Sequence, residues 1–369
     1  MKQENAARAA KSLSEFDADL AKLSIRGQWQ YDAIMEKLIG GPKPSGVPHV
    51  WRWEHVHEKL MEACGIMPES YTARRNLSFI NPGLEKGGTT HTVLTGMQVV
   101  MPGEVAWAHR HSISALRFVV EGDSKLYTVV DGEALPMEPN DMILTPSWTW
   151  HDHHNDSEKL GIWLDALDVP LMFALNQMAY QPYGESTQPL RQNTADYVSE
   201  RVNNMRPLWE QRPGPAFPYR YPWRDVQAQL QRFATSAGSP CDGVILEYTN
   251  PLTGGAALPT LRCCIQQLRP GFVGEKHRHT SSSVYYVVEG QGRTVVGDSE
   301  LNWSAHDVFA VPNWAWHHHI NSSQSAGAVL FSISDAPLLE AMNLYREEPA
   351  TSVRSNPPPL APANMTAGK

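Results

Sequence analysis

The sequence has few cysteines, no excess of positive charge and no long apolar run. Its 369 residues include only four cysteines, at 64, 241, 263 and 264, and no Cys-x-x-Cys pair. This argues against a disulfide framework or a zinc cluster, so any metal needs mainly histidine and oxygen ligands. The balance of 31 Lys and Arg against 39 Asp and Glu gives a net charge of −8. That charge argues against nucleic acid or an anionic membrane as the partner.

No stretch approaches the roughly 20 consecutive apolar residues that a membrane span needs, and the first 23 residues show no signal-peptide pattern. We therefore expect a soluble, cytoplasmic protein.

The remaining sequence separates into helical, strand-rich and proline-rich stretches. Short strands with Gly, Pro and Asn turns every eight to twelve residues are typical of an antiparallel sandwich or barrel. Helical spacing predicts helices over 6–38, 55–64, 171–180 and 223–233. The predicted organisation is an N-terminal helical and crossing segment (1–72), a first β-domain (73–175), a helical and proline-rich linker (176–240), a second β-domain (241–348) and a flexible tail (349–369).

The two strand-rich stretches are copies of one pattern. His109 and His111 follow a glycine turn, and His277 and His279 occupy the same places 168 positions later. Turn signals recur in the same order, for example Asn-Pro at 81–82 and at 250–251. An internal duplication is the simplest account.

Each copy carries a set of histidines that suits a metal. Residues i and i+2 of a strand project from one face, so His109 and His111 point together. A third imidazole, His151, follows a turn and lies on a strand that can return beside them. Three imidazoles suit Fe, Mn, Cu or Zn, although a lone His-x-His pair more often serves packing or lies at the surface. The second copy offers the set His277, His279 and His317, with His319 nearby.

These motifs resemble the two signatures of the cupin superfamily. Gly103, His109 and His111 match the first signature, and Pro146 and His151 with Asn155 match the second. The predicted fold class is therefore mainly β, a bicupin of two double-stranded β-helix (jelly-roll) barrels with N-terminal and linker helices. The position of the glutamate ligand found in four-ligand cupins holds Ala115 in one copy and Ser283 in the other. We therefore expect three-histidine sites with open positions for a bidentate substrate and O2.

Nearly the whole chain resembles the gentisate 1,2-dioxygenase family, which includes salicylate and 1-hydroxy-2-naphthoate dioxygenases. The resemblance rests on HRHSISALRFVVEG, VPHVWRW, RRNLSFINPGL, TPSWTWHDHHND and SDAPLLEAM. It implies an Fe(II) enzyme that cleaves the ring between the carboxylated and hydroxylated carbons, with a small aromatic hydroxy acid and O2 as substrates. For gentisate the product is maleylpyruvate. The family is commonly tetrameric, so the resemblance also implies a homotetramer.

Three residues around the first histidine set can serve the substrate. Arg117 lies on the same strand face as the histidines and can fork onto a carboxylate, unless it is a surface arginine. His153 can act as hydrogen-bond donor or base, or lie in a surface loop. Asp165, in an apolar run, can orient His153, accept a ring-hydroxyl proton or form a structural ion pair. The family resemblance adds Arg74 and Gln98 as substrate contacts and Trp163 as a pocket wall.

The second copy keeps the histidines but has Tyr285 in place of Arg117 and Ser332 in place of Asp165. This asymmetry predicts that the first domain is catalytic, and it leaves the second site open as structural, vestigial or active. Gentisate is the first-choice substrate, with salicylate, a substituted salicylate or 1-hydroxy-2-naphthoate as alternatives. A non-catalytic bicupin that binds a metal or ligand is the competing class, but it gives no reason for the asymmetry.

Overall fold

The computed structural model describes residues 12–67, 75–190 and 219–350. These residues fall into two compact units, with the division between residues 43 and 44. In the first unit, α1 (Leu13–Lys22) begins at a capping box: the Ser12 hydroxyl accepts from the Glu15 backbone N–H, and the Glu15 carboxylate accepts from the Ser12 N–H. Helix α2 (Asp32–Lys37) follows a short 3₁₀ turn. Predicted residues 6–11 lie outside the described part.

The second unit contains two β-sandwiches in chain order, which confirms the mainly β bicupin fold. In the first, a six-stranded sheet of order β12-β8-β5-β10-β3-β2 faces a five-stranded sheet of order β11-β4-β9-β6-β7. Every pairing is antiparallel. The strands are β2 (Arg75–Ser78), β3 (Leu94–Val100), β4 (Val105–His111), β5 (Ala115–Glu121), β6 (Asp123–Val130), β7 (Glu133–Met137), β8 (Met142–Thr145), β9 (His151–Asn155), β10 (Gly161–Leu167), β11 (Tyr180–Pro182) and β12 (Arg220–Tyr221).

The second sandwich repeats this topology with the orders β1-β19-β16-β21-β14-β13 and β18-β17-β20-β15-β22. Its strands are β1 (His49–Trp51), β13 (Val244–Glu247), β14 (Arg262–Leu268), β15 (His277–His279), β16 (Ser283–Glu289), β17 (Gln291–Val296), β18 (Ser299–Ser304), β19 (Val308–Val311), β20 (His317–Asn321), β21 (Ala328–Ser334) and β22 (Glu347–Pro349).

The segment before each sandwich pairs with the other sandwich. Strand β1 precedes the first sandwich but pairs with β19 of the second, and β12 precedes the second but pairs with β8 of the first. A buried aspartate anchors each crossing. Asp307 accepts from Arg52 (2.9 Å) and from the Trp53 N–H (2.8 Å), and Asp141 accepts in the same way from Arg220 and the Trp223 N–H. The duplication therefore extends to the crossing segments, which the sequence pattern had assigned to an N-terminal segment and a linker.

In the described residues, buried apolar side chains form three clusters. One fills the first sandwich and one the second. The third and largest lies between the two six-stranded sheets, where the Phe118 ring stacks on Phe331 with centroids 4.2 Å apart. Strand β5 alternates between these environments, since Phe118 faces the other domain while Val119 faces the interior of its own sandwich. Residues in register with Val119, Arg117 among them, therefore point inward.

The helices largely follow the predictions, with one correction. Helix α3 (Trp53–Ile66) covers the expected 55–64, and α5 (Trp223–Phe233) has the expected bounds. The predicted helix over 171–180 is wrong in its second half. Helix α4 (Val169–Ala174) ends early, Asn176 adopts a positive φ of 55°, and Tyr180 begins β11. A further short helix, α6 (Ala336–Ala341), occupies the place of α4 in the second copy. Within the described residues, no helix is both long and apolar enough to cross a membrane.

Candidate metal centre

The first histidine set comes together inside the first sandwich. His109 and His111 lie on one face of β4, and the β4–β9 pairing places His151 directly opposite His109. All three are buried, and their ligand atoms lie within 4.8 Å of one another. Arg110, between the two β4 histidines, points the other way, where its guanidinium lies over the Trp150 ring. The alternation of the strand therefore gathers three imidazoles as the sequence predicted.

Backbone carbonyls hold each ring in a defined orientation. The Nδ1 atoms of His109, His111 and His151 lie 2.7, 2.9 and 3.0 Å from the carbonyl oxygens of Trp107, Ile113 and Thr149. A neutral ring that donates its Nδ1–H to a carbonyl keeps the Nε2 lone pair for a metal. Among the described residues, the buried Nε2 of His151 has no hydrogen-bond partner.

Burial lowers the pKa of His151 well below its ordinary value, and the neighbouring His109 and His111 lower it further. The ring is therefore neutral near pH 7, as metal ligation requires. Ala115, at the position of the glutamate ligand in four-ligand cupins, is buried and supplies no oxygen side chain. The donor set thus fits a divalent transition metal bound by three histidines with positions left open.

Arg117 belongs to a buried polar cluster on the same inward face. It is 4% exposed, which excludes a surface arginine. Its guanidinium donates to the Thr145 hydroxyl (2.8 Å), and its Nε lies 3.5 Å from the Asp165 carboxylate, its cross-strand neighbour on β10. Asp165 also accepts from the Asn76 amide (2.7 Å) and from the Trp163 indole N–H (3.0 Å). Of the three roles considered for Asp165, the structure contains the ion pair.

His153 is buried and packs against the predicted pocket wall. Its ring lies 5.2 Å from the Trp163 ring, and its Nδ1 lies 2.7 Å from the Thr128 hydroxyl on β6. A surface position is therefore excluded. The orienting contact comes from Thr128, which the sequence reasoning missed. The recurrence of this threonine beside His319, as Thr294, was the signal that could have identified it.

Of the substrate contacts suggested by the family resemblance, Gln98 lies in the described structure and Arg74 does not. Gln98 on β3 is buried beside Trp163, and its Nε2 has no hydrogen-bond partner within the described residues. Arg74 lies outside the described residues. Asn76 and Thr145, which hold Asp165 and Arg117, were also missed. Asn76 lies in the RRNLSFINPGL stretch quoted above, but only the β2–β3 pairing shows which way it points.

The second histidine set has the same arrangement as the first, but the side chains around it differ. The ligand atoms of His277, His279 and His317 also lie within 4.8 Å of one another. Burial lowers the pKa of both His279 and His317. The inward face here carries the buried Tyr285 and the small Ser332, so it has neither the cation nor the carboxylate of the first site.

Large cavities also lie away from both histidine sets in the described part of the chain. One of about 610 Å³ lies between α5 and β13, and one of about 580 Å³ lies between the loop at 146–149 and residues 250–259 of the second domain. Neither is lined by a histidine of either set. The size of a cavity is therefore a weaker guide to the site than the convergence of buried ligand atoms.

Comparisons with known proteins agree with this geometry. Residues 96–167 and 264–334 match the cupin domain family. The chain is 43% identical to 1-hydroxy-2-naphthoate 1,2-dioxygenase from Nocardioides sp. (strain KP7), over 97% of this chain and 92% of the relative. It is 37% identical to gentisate 1,2-dioxygenase 1 from Aquipseudomonas alcaligenes, over 91% of this chain and 96% of that relative.

Among solved structures, salicylate 1,2-dioxygenase from Pseudoaminobacter salicylatoxidans, in a mutant form complexed with gentisate, superposes with a TM-score of 0.79 at 28% identity, covering 95% of this chain and 98% of that one. The repeated cupin domains, the buried histidine sets and these full-length similarities lead to one conclusion: the chain belongs to the gentisate 1,2-dioxygenase family of bicupin ring-cleaving dioxygenases.

Proposed function

We propose that this protein is an Fe(II)-dependent dioxygenase that opens the ring of an aromatic acid between the carboxylated carbon and the adjacent hydroxylated carbon. The observation that carries the proposal is the three-histidine centre with Arg117 buried on the same inward face. Three neutral imidazole ligands do not offset the charge of a divalent metal ion, and they leave coordination positions open for other ligands. Iron held by His109, His111 and His151 would supply chelation of the hydroxy acid and activation of O2.

The protein side chains then bind and orient the acid. Arg117 pairs with the substrate carboxylate, and Asp165 holds the guanidinium in place through its ion pair. His153, fixed by Thr128, donates to or accepts from the phenolic group. Gln98 offers a buried amide with no partner among the described residues, Trp163 forms a wall, and Arg74 completes the proposed set of contacts.

We propose gentisate, with maleylpyruvate as product, as the first substrate to test. A second candidate, 1-hydroxy-2-naphthoate, is favoured by one specific observation: the relative named for it is 43% identical, against 37% for the gentisate enzyme. Salicylate and substituted salicylates share the same chelating pair. Oxygen uptake by the Fe(II)-loaded protein with each acid distinguishes them, since the preferred acid gives the highest kcat/KM. Uptake with none of these acids would support a non-catalytic metal-binding bicupin.

The second triad is proposed as a further metal site outside the main chemistry. Its Nδ1 atoms are held by carbonyls in the same manner, with His279 at 2.8 Å from Ser281 and His317 at 2.9 Å from Ala315. Tyr285 stands there in place of the arginine that would pair with a carboxylate. Metal content per chain measures its occupancy: two equivalents support occupancy, and one equivalent that is lost in His151→Ala contradicts it.

We also propose a cytoplasmic homotetramer. The N-terminal unit leaves large apolar side chains exposed, among them Leu13, Ile34 and Met35, which suits burial against another subunit. Light scattering on the purified protein measures the mass directly. A monomer would contradict the proposal.

A further inference from the structure

A buried aspartate connects the first metal centre to the second cupin domain. Asp168, at the end of β10, is 1% exposed. One of its carboxylate oxygens accepts from the Ser114 backbone N–H (2.9 Å), and the other accepts from the Thr260 hydroxyl (2.7 Å). The Asp168 N–H donates in return to the Ser114 carbonyl at 3.3 Å. Since Thr260 precedes β14, one side chain joins a turn of the first domain to a residue of the second.

That turn carries the contact that orients a metal ligand. Ser114 is adjacent to Ile113, whose carbonyl oxygen lies 2.9 Å from Nδ1 of His111. Two hydrogen bonds between Ser114 and Asp168 fix the peptide geometry next to that carbonyl. The direction of the Ile113 carbonyl in turn fixes the tautomer and orientation of the His111 ring. A change at Asp168 should therefore alter the orientation of the His111 ring through the peptide unit between Ile113 and Ser114.

An equivalent set of hydrogen bonds connects a residue of the first domain to the second triad. Thr92 of the first domain donates to Asp335 (2.7 Å), and Asp335 accepts from the Ser282 N–H (2.8 Å). The neighbouring Ser281 carbonyl lies 2.8 Å from Nδ1 of His279. Each domain therefore anchors a ligand-bearing turn of the other. The two contacts are formed by separate residues, so their agreement indicates a built feature of the fold.

We infer that Thr260 and Asp168 are positioning residues through which the second cupin domain sets the metal affinity of the first centre. Thr92 and Asp335 stand in the same relation to His279. The inference rests on the proposed function in one respect, namely that the first triad binds a metal. It gives the second domain a part in the reaction even though its own inward face has neither arginine nor aspartate at the substrate positions.

The test compares two matched substitutions in a full chain that lacks the second metal site, His277→Ala/His317→Ala. Thr260→Val removes the hydroxyl that reaches Asp168, and Thr92→Val removes the equivalent hydroxyl that reaches Asp335. Thr260→Val loses the hydrogen bond to Asp168, and Thr92→Val loses the one to Asp335 and a longer one to the Ser282 hydroxyl (3.4 Å), so both should lower the unfolding temperature. Co(II) binding to the metal-free proteins, measured by calorimetry, reports ligand geometry separately from activity.

We expect Thr260→Val to raise the Kd for Co(II) about tenfold, the lower end of the effect known for groups that orient ligands. Thr92→Val should leave it within about twofold, and Thr260→Ser, which keeps the hydroxyl, should restore it. Equal weakening by both valine variants, or no weakening by Thr260→Val, would overturn the inference. Failure of the parent to bind Co(II) would instead overturn the proposed metal centre. If Thr260→Val does not fold, Thr260→Ala in the same comparison decides the question.

Discussion

Replacement of Arg117 by methionine tests whether this residue binds substrate or only neutralises Asp165. Methionine keeps an apolar stem of similar length but removes the guanidinium. In the protein the guanidinium donates to Thr145 and lies 3.5 Å from the Asp165 carboxylate, with both side chains about 5% exposed. The substitution therefore removes a cation from a buried site and leaves a carboxylate that Asn76 and Trp163 still hydrogen-bond.

Two effects of different origin should follow. Loss of one partner of a buried ion pair costs about 3–5 kcal/mol of folding stability, because the remaining charge is uncompensated. Loss of a buried partner for the substrate carboxylate costs about 2–4 kcal/mol of transition-state stabilisation, or roughly 30- to 1,000-fold in kcat/KM. The first effect depends on Asp165 and the second does not.

The double variant Arg117→Met/Asp165→Asn separates them. Without the carboxylate, the unfolding free energy measured in urea should recover most of the loss, while kcat/KM from oxygen uptake should remain at least about 30-fold below the wild type. Recovery of activity together with stability would show that Arg117 is only a structural partner of Asp165. Iron content, measured on each variant, excludes metal loss as the cause.

Other perturbations have similarly specific outcomes. Removal of the second triad by His277→Ala/His317→Ala should lower metal content without abolishing oxygen uptake, and abolished uptake in a folded protein would move the chemistry to the second domain. Thr128→Val should lower kcat/KM about tenfold at unchanged metal content, because the His153 ring loses its orienting hydroxyl; unchanged kinetics would make that contact irrelevant. Burial lowers the pKa of His306, whose Nδ1 lies 2.6 Å from the Tyr286 hydroxyl oxygen. As the pH falls below about 6.5, the unfolded chain takes up this proton before the folded chain does, so stability is lost in that window. His306→Asn should flatten the pH dependence of the urea-unfolding free energy by a fraction of ~1.4 kcal/mol per pH unit, and an unchanged slope would contradict this assignment.

The ligands could be read from the sequence because their geometry is local. His-x-His in a strand places two rings on one face whatever the neighbouring strands do, and the duplication supplies an independent second example. The partners of Asp165 could not be read in this way. Asn76 reaches it from β2, two strands away across β3, so its position depends on the register of two pairings. The sequence shows that the buried acid needs a partner but does not show which one it has.

The exchange of β1 and β12 between the sandwiches was also beyond the sequence pattern. Both segments look like crossing or linker stretches because they are short, with three and two residues in the strands, and rich in aromatic and proline residues. Only the tertiary pairing shows that each adds an edge strand to the other domain. The matching roles of Asp141 and Asp307 indicate that this exchange is part of the repeated unit, because each aspartate anchors one crossing segment.

The most direct test of the account compares His151→Ala with its counterpart in the other copy, His317→Ala. Both histidines are buried, and both lie opposite the first histidine of their own triad. Each protein is loaded anaerobically with Fe(II), and oxygen uptake is measured with the preferred hydroxy acid. His151→Ala should lose at least about 1,000-fold in oxygen uptake because the metal loses a ligand, and His317→Ala should keep uptake of the wild-type order. Substantial uptake by His151→Ala, or loss confined to His317→Ala, would contradict the account.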